Sequence, residues 1–135
     1  MNYLILFVMM LFCHILDDYV LQAASLNKLK QKSWWEENAS DEKYKNDYKC
    51  GLAMHALSWS FMIMLPILIF NFTTIWYSVG YTIGFVLLFA FNAIMHGYID
   101  NYKANYHSFN LIADQSLHVA QIAFTVVLWY ICITV

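Results

Sequence analysis

The run YLILFVMMLFCHILDDYVLQ at residues 3–22 decides the fold class, because it carries no charged residue before Asp17. A helix needs about 20 predominantly apolar residues to cross the hydrocarbon core of a bilayer, which is about 30 Å thick. Three further stretches meet this requirement, at residues 52–72, 75–100 and 110–134. The sequence therefore predicts an all-α fold, an integral membrane four-helix bundle that forms one transmembrane domain over residues 1–135.

The composition excludes most other classes of protein. Hydrophobic residues make up 61% of the chain and charged residues 12%, whereas soluble domains carry about 25% charged residues. A disordered chain would contain far fewer apolar residues. With no arginine and a net charge of -2, the chain lacks the basic surface that binds nucleic acid. The cysteines form no C-x-x-C pair, so neither a disulfide framework nor a thiolate zinc site is indicated.

The lysines predict the orientation of the bundle. All seven lie in the connections at residues 25–50 and 101–109. By the positive-inside rule both connections are cytoplasmic, which places both termini outside. The longer connection contains Trp34 and Trp35 among lysines and acids, a composition that suits either an interfacial helix or a solvated loop.

Histidines and aspartates interrupt the spans, all in the predicted cytoplasmic half. Three pairs have i,i+4 spacing, which places both members of a pair on one helix face. Because successive spans run in opposite directions, the four helices are expected to bring these residues to one depth. The full set is His14, Asp18, His55, His96, Asp100, Asp114 and His118. Asp17 is expected to point about 100° away from Asp18 and is left out.

Aspartates inside a membrane need compensation, because each costs up to about 2.5–3.5 kcal/mol at the centre of a span. Only Lys103, one turn beyond Asp100, is expected to lie close to them. Protonation is one solution, and a divalent cation is the other. Imidazole with carboxylate suits a transition metal, zinc first and iron or manganese next. We therefore expect a mononuclear or dinuclear metal site, with His55 as a ligand or as a support for the ligands.

The quoted motifs resemble those of a domain-of-unknown-function family of small bacterial and phage-encoded integral membrane proteins. The motifs that carry the resemblance are H-x-x-x-D-x-x-x-Q from His14 to Gln22, H-x-x-I-D from His96 to Asp100, and D-Q-x-x-H from Asp114 to His118. The resemblance covers nearly the whole chain. It implies a multi-pass protein of the bacterial inner membrane with a polar site at these positions, and no established activity.

Three functions remain open from the sequence. A metal-dependent hydrolase would use Asp18 or Asp100 as catalytic general base, and Lys28 and Lys103 would bind an anionic headgroup of a membrane lipid. An ion or proton transporter would use the same residues as a relay. A structural or envelope-binding protein, with a host envelope protein as partner, would use them only to pin the helices together. The Gly80-x-x-x-Gly84 motif suits either a homodimer seam or packing within the bundle.

Overall fold

The computed structural model describes residues 2–134 and consists of helices joined by short connections. The helices are α1 (Tyr3–Leu16), α2 (Ala24–Leu29), α3 (Lys32–Asn38), α4 (Tyr48–Phe70), α5 (Phe72–Tyr77), α6 (Val79–Tyr106) and α7 (Leu111–Thr134). A π-helical turn, Asp17–Leu21, extends α1, and a 3₁₀ turn, Glu42–Tyr44, precedes α4. Four segments are long and apolar enough to cross a membrane. The predicted all-α, four-span fold is confirmed, and the chain is a multi-pass membrane protein.

The spans differ in detail from the stretches read from the sequence. α4 begins at Tyr48, and α6 runs from Val79 to Tyr106. The residues expected to open the third span belong instead to the short helix α5, which extended backbone at Ser78 separates from α6. Hydropathy locates apolar segments, but local hydrogen bonds decide where each helix begins. At the first span, for example, the Asn2 side chain accepts from the backbone N–H groups of Leu4 and Ile5.

The four long helices form a ring in which α1 contacts α4 and α7, and α6 contacts α4 and α7. We call the end that carries residues 22–47 and 107–110 the loop end, and the opposite end the distal end. Apolar side chains fill the interior of the distal half, among them Leu6, Ile63, Ile67, Leu88 and Trp129. Large apolar side chains also cover the outer surface, where a membrane protein meets lipid.

The Gly80-x-x-x-Gly84 motif contributes to packing within the chain. A Cβ atom at Gly84 would lie 3.6 Å from the Sγ atom of Cys132 on α7. Nothing within the described chain lies within 4 Å of a Cβ atom at Gly80. The contact made by Gly84 favours close approach of α6 and α7, while the homodimer stays a prediction.

A layer of uncharged polar side chains links α6 and α7 in the middle of the bundle. The Asn92 Oδ1 atom accepts from Gln121 Nε2 at 2.9 Å and from Thr125 Oγ1 at 3.0 Å. The Asn92 Nδ2 atom donates to the Leu88 carbonyl at 2.9 Å. All three polar residues are buried, so each depends on the others for hydrogen bonds that lipid cannot supply.

We expect Asn92→Leu to lower the free energy of unfolding by about 1–3 kcal/mol, because it removes the side-chain oxygen that accepts from Gln121 and Thr125 and leaves each of them only a backbone carbonyl as acceptor. Replacing Gln121 and Thr125 as well, by Leu and Val, should recover part of that loss, because no polar group then remains unpaired. Reversible unfolding in mixed detergent micelles, followed by circular dichroism, measures both effects. A triple variant less stable than Asn92→Leu would contradict this account.

Candidate functional site

The structure brings the histidines and aspartates of all four spans into one cluster at the loop end. All seven predicted residues are members, and each contacts at least one other. Six of them are buried, and Asp18 is half-buried and faces a cleft. The six buried residues are His14, His55, His96, Asp100, Asp114 and His118.

Asp100 lies at the centre of the cluster. Its Oδ2 atom is 3.3 Å from His55 Nε2, and its Oδ1 atom is 3.5 Å from His118 Nε2 and 3.7 Å from His96 Nε2. His55 Nε2 and His96 Nε2 are 3.1 Å apart. One carboxylate is therefore shared by imidazoles from α4, α6 and α7.

Two sets of three residues have the spacing of metal ligands, and they share His96. One set is Asp18, His55 and His96, and the other is His96, Asp100 and His118; within each set the ligand atoms lie within 4.8 Å of one another. Ligands at about 2.0–2.1 Å from a tetrahedral zinc ion are about 3.3–3.4 Å apart. The separations of 3.3–3.7 Å between Asp100 and the three imidazoles are close to that value.

Several buried atoms of the cluster have no hydrogen-bond partner. Among them are Asp18 Oδ1, His96 Nδ1, Asp114 Oδ1 and both ring nitrogens of His118. Unpartnered polar atoms are costly in an interior. His118 Nε2 lies 3.5 Å from both Asp100 Oδ1 and Asp114 Oδ1; Asp100 shares a ligand set with it, and Asp114 belongs to neither set.

His14 differs from the other histidines because protein groups already engage both its ring nitrogens. Trp59 Nε1 donates to His14 Nδ1 at 2.8 Å. With Nδ1 accepting, the ring hydrogen lies on Nε2, which donates to Gln115 Oε1 at 3.1 Å. These bonds fix the orientation of the ring and suit a residue that supports the cluster; its predicted role as a ligand stays a prediction.

Trp59 packs at the centre of the cluster, and sequence reasoning did not single it out among the aromatic residues. It is fully buried, and its ring stacks on that of His96 with 4.1 Å between centroids and 13° between planes. Its position four residues after His55 places it on the same helix face. That spacing was the one available signal.

The expectation that Asp17 points away from the cluster is wrong. Asp17 is buried, accepts from Ser58 Oγ at 2.7 Å, and lies 3.8 Å from His55 Nδ1. The reason is the π-helical turn that begins at Asp17. Its wider turn changes the angle between consecutive side chains, so both Asp17 and Asp18 reach the interior.

The expectation that only Lys103 lies near the carboxylates is also wrong. Lys30 Nζ is 2.6 Å from Asp100 Oδ2, with only 12% of the lysine side chain exposed. Lys103 pairs with Asp114, as its position suggested. Lys28, predicted to bind an anionic headgroup, is exposed and does not line the cleft, because α2 directs Lys30 inwards instead.

A cleft of about 360 Å³ leads from the loop end to the cluster. Asp18, His55, Asp100 and Asp114 line it together with Lys30 and Lys103. Two ammonium groups therefore stand beside the carboxylates at the place where an anionic molecule would enter from the loop end.

Comparison with known proteins identifies the family. The model of a family described as a protein of unknown function, DUF3307, matches residues 6–134. The chain belongs to the DUF3307 family. The match includes all four spans and the whole cluster. No curated protein and no solved structure matches the chain.

In this DUF3307 protein, a tightly packed segment of the long connection places Lys30. A Cβ atom at Gly51 of α4 would lie 2.6 Å from the Leu29 carbonyl oxygen and 2.9 Å from the Lys30 nitrogen. Asn105 Nδ2 donates to the Lys30 carbonyl at 3.1 Å, and Trp35 Nε1 donates to the Leu29 carbonyl at 2.9 Å. The absence of a side chain at Gly51 is what allows the backbone of α2 to approach α4 so closely.

We expect Gly51→Ala to force Leu29 and Lys30 away from α4. The strain should lower the free energy of unfolding by about 1–3 kcal/mol, and labelling of Lys30 by an amine-reactive reagent should become faster. Gly80→Ala is the matched control, because its Cβ atom meets nothing within 4 Å. Unchanged stability and unchanged protection of Lys30 in Gly51→Ala would contradict the proposed packing.

Proposed function

We propose that this DUF3307 protein is a metal-dependent hydrolase of the bacterial inner membrane that acts on a membrane-associated anionic ester or amide. The observation that carries the proposal is the pair of ligand sets beneath a cleft flanked by Lys30 and Lys103. The loop end would face the cytoplasm, since all seven lysines lie in its connections or within the helix ends beside them.

The charges of the cluster favour a divalent cation. Four carboxylates, Asp17, Asp18, Asp100 and Asp114, lie with two ammonium groups, Lys30 and Lys103. With neutral histidines, two negative charges remain, which is the charge that a divalent ion neutralises. Protonated imidazoles would neutralise it too, but protonating both His55 and His96, whose Nε2 atoms are 3.1 Å apart, would bring like charges into repulsion.

We assign the ligands to His96, Asp100 and His118, with His55 beside them. Imidazole and carboxylate together favour zinc, with iron or manganese as alternatives. A metal ion in such a site lowers the pKa of a bound water to about 7 and makes it a nucleophile at neutral pH.

The protein's own groups would then supply proton transfer and orientation. Asp18 is the better of the two predicted bases, because its Oδ1 atom has no hydrogen-bond partner and the residue lines the cleft. Asp100 is held by Lys30 and shared by three imidazoles, which suits a ligand. Asp18 would take a proton from the water as the water oxygen bonds to the substrate's carbonyl carbon or phosphorus. It would return this proton to the leaving group as the bond between the leaving group and that carbon or phosphorus breaks.

A structural role is the second candidate, because two ion pairs already join separate segments of the cluster. Lys30–Asp100 links α2 to α6, and Lys103–Asp114 links α6 to α7. Such pairs would hold the helices together without a metal. In a structural or envelope-binding protein with a host partner, the cluster would have only this role. Transport is less favoured, since apolar side chains fill the described interior of the distal half.

We expect purified protein to contain zinc, iron or manganese, and His118→Ala to contain several-fold less metal per chain because a ligand is lost. His107→Asn is the control: His107 is exposed, lies outside both ligand sets, and has a positive φ that asparagine tolerates. Elemental analysis of detergent-purified samples measures the metal. Metal-free protein with full thermal stability would support the structural role instead.

Asp18→Asn should keep its metal and abolish turnover, because it removes the proton acceptor and leaves the ligands in place. Expression of wild-type protein should change the amounts of some lipids. In cells that express Asp18→Asn, these lipids should have the same amounts as in cells that do not express the protein. Glu37→Gln, an exposed change in α3, should behave like wild type. Identical lipid profiles for wild type and Asp18→Asn would remove the catalytic proposal, and loss of metal would place Asp18 among the ligands.

A further inference from the structure

A second depression adjoins the polar cleft on its membrane side. It has a volume of about 480 Å³ and lies between the π-helical turn and α7. Its lining residues are Tyr19, Leu111, Ile112, Gln115, Ser116 and Val119. Tyr19, Leu111 and Gln115 also line the polar cleft, so the two spaces are adjacent. We call the second space the lateral groove.

The lateral groove faces the surrounding membrane. Ile112 is 78% exposed and Tyr19 is 60% exposed. Ile112, Ser116 and Val119 follow i,i+4,i+7 spacing and so share one face of α7. The neighbouring face of the same helix carries Asp114 and His118, which point into the cluster. α7 thus presents an apolar surface and an ionisable surface side by side.

The groove and the cluster lie at the same depth. From Leu111 to Val119 the helix rises about 12 Å, and Asp114 and His118 fall within that interval. At this level the hydrogen bond from His14 to Gln115 joins the neighbouring helices α1 and α7. A molecule lying in the groove would therefore lie beside the cleft and at its depth while it stays within the membrane.

We propose that the lateral groove admits one acyl chain of an anionic membrane lipid, while the lipid's headgroup enters the cleft between Lys30 and Lys103. This inference rests on the proposed hydrolase function and narrows its substrate class from any anionic ester or amide to a lipid. A water-soluble substrate needs only the cleft at the loop end. A groove open to hydrocarbon and adjacent to a lysine-lined cleft instead fits an apolar chain attached to an anionic group.

The lateral groove shares lining residues with the polar cleft, and a larger apolar groove does not. The groove between α4 and α6 has a volume of about 610 Å³ and is lined by residues such as Leu52, Ala53 and Ile94. It shares no lining residue with the polar cleft among residues 2–134. A lipid bound there would contact no residue that lines the cleft, so we place the route between α1 and α7.

The test is photo-crosslinking in vesicles that contain phosphatidylglycerol with a diazirine in one acyl chain. Labelled peptides from wild-type protein should be enriched in residues 111–119 and at Tyr19 relative to the rest of the lipid-facing surface. Val119→Trp should reduce this labelling several-fold by filling the groove. Val127→Trp is the matched control, because Val127 is an exposed valine of the same helix outside the groove. Ile112→Trp provides a second groove variant should Val119→Trp not fold.

The outcomes separate this inference from the proposed function, because labelling needs neither metal nor turnover. Selective labelling in protein that contains no metal and hydrolyses nothing would support the lipid route and reject the hydrolase. Labelling spread evenly over the surface, or unchanged in both groove variants, would overturn the route even if hydrolysis were found. Equal labelling by the same probe with a phosphatidylcholine headgroup would overturn the assignment of an anionic headgroup.

Discussion

The burial of carboxylates among apolar helices is the constraint on which the rest of this structure depends. An uncompensated buried charge costs several kcal/mol, and Asp17, Asp100 and Asp114 are all buried. Each therefore has a partner: Ser58 donates to Asp17, Lys30 pairs with Asp100, and Lys103 pairs with Asp114. Because lysines occur only in and beside the connections, the cluster can form only at the loop end, where they can reach it.

This requirement produces a gradient of polarity along the bundle. Charged and imidazole groups occupy the loop end, the Asn92 layer of neutral hydrogen bonds follows, and apolar side chains fill the distal half. The neutral layer carries no charge and is joined by its own hydrogen bonds, so it needs no counter-ion. A site built in this way is reached from one side of the membrane, which suits chemistry at an interface better than passage across it.

The long connection is part of the site because its packing supplies a charge. Gly51, Trp35 and Asn105 together hold the backbone around Lys30. Lys30 neutralises the carboxylate that the imidazoles share, and it also lines the cleft. An anionic molecule in the cleft would compete with Asp100 for this ammonium group. The polar cleft suits an anionic group and the lateral groove suits an apolar chain. The lipid that we propose as substrate has both.

The sequence by itself determined the all-α class, the four spans, and the i,i+4 pairs that give each ionisable face its direction. These follow from helical periodicity and hydropathy, which are local properties of the chain. The tertiary structure alone decided that Asp17 turns inwards, that Lys30 rather than Lys28 reaches the carboxylates, and that Trp59 stacks on His96. A π-helical turn, a loop packed on a glycine and the rotation of a helix each depend on contacts between distant residues, which spacing along the chain does not encode.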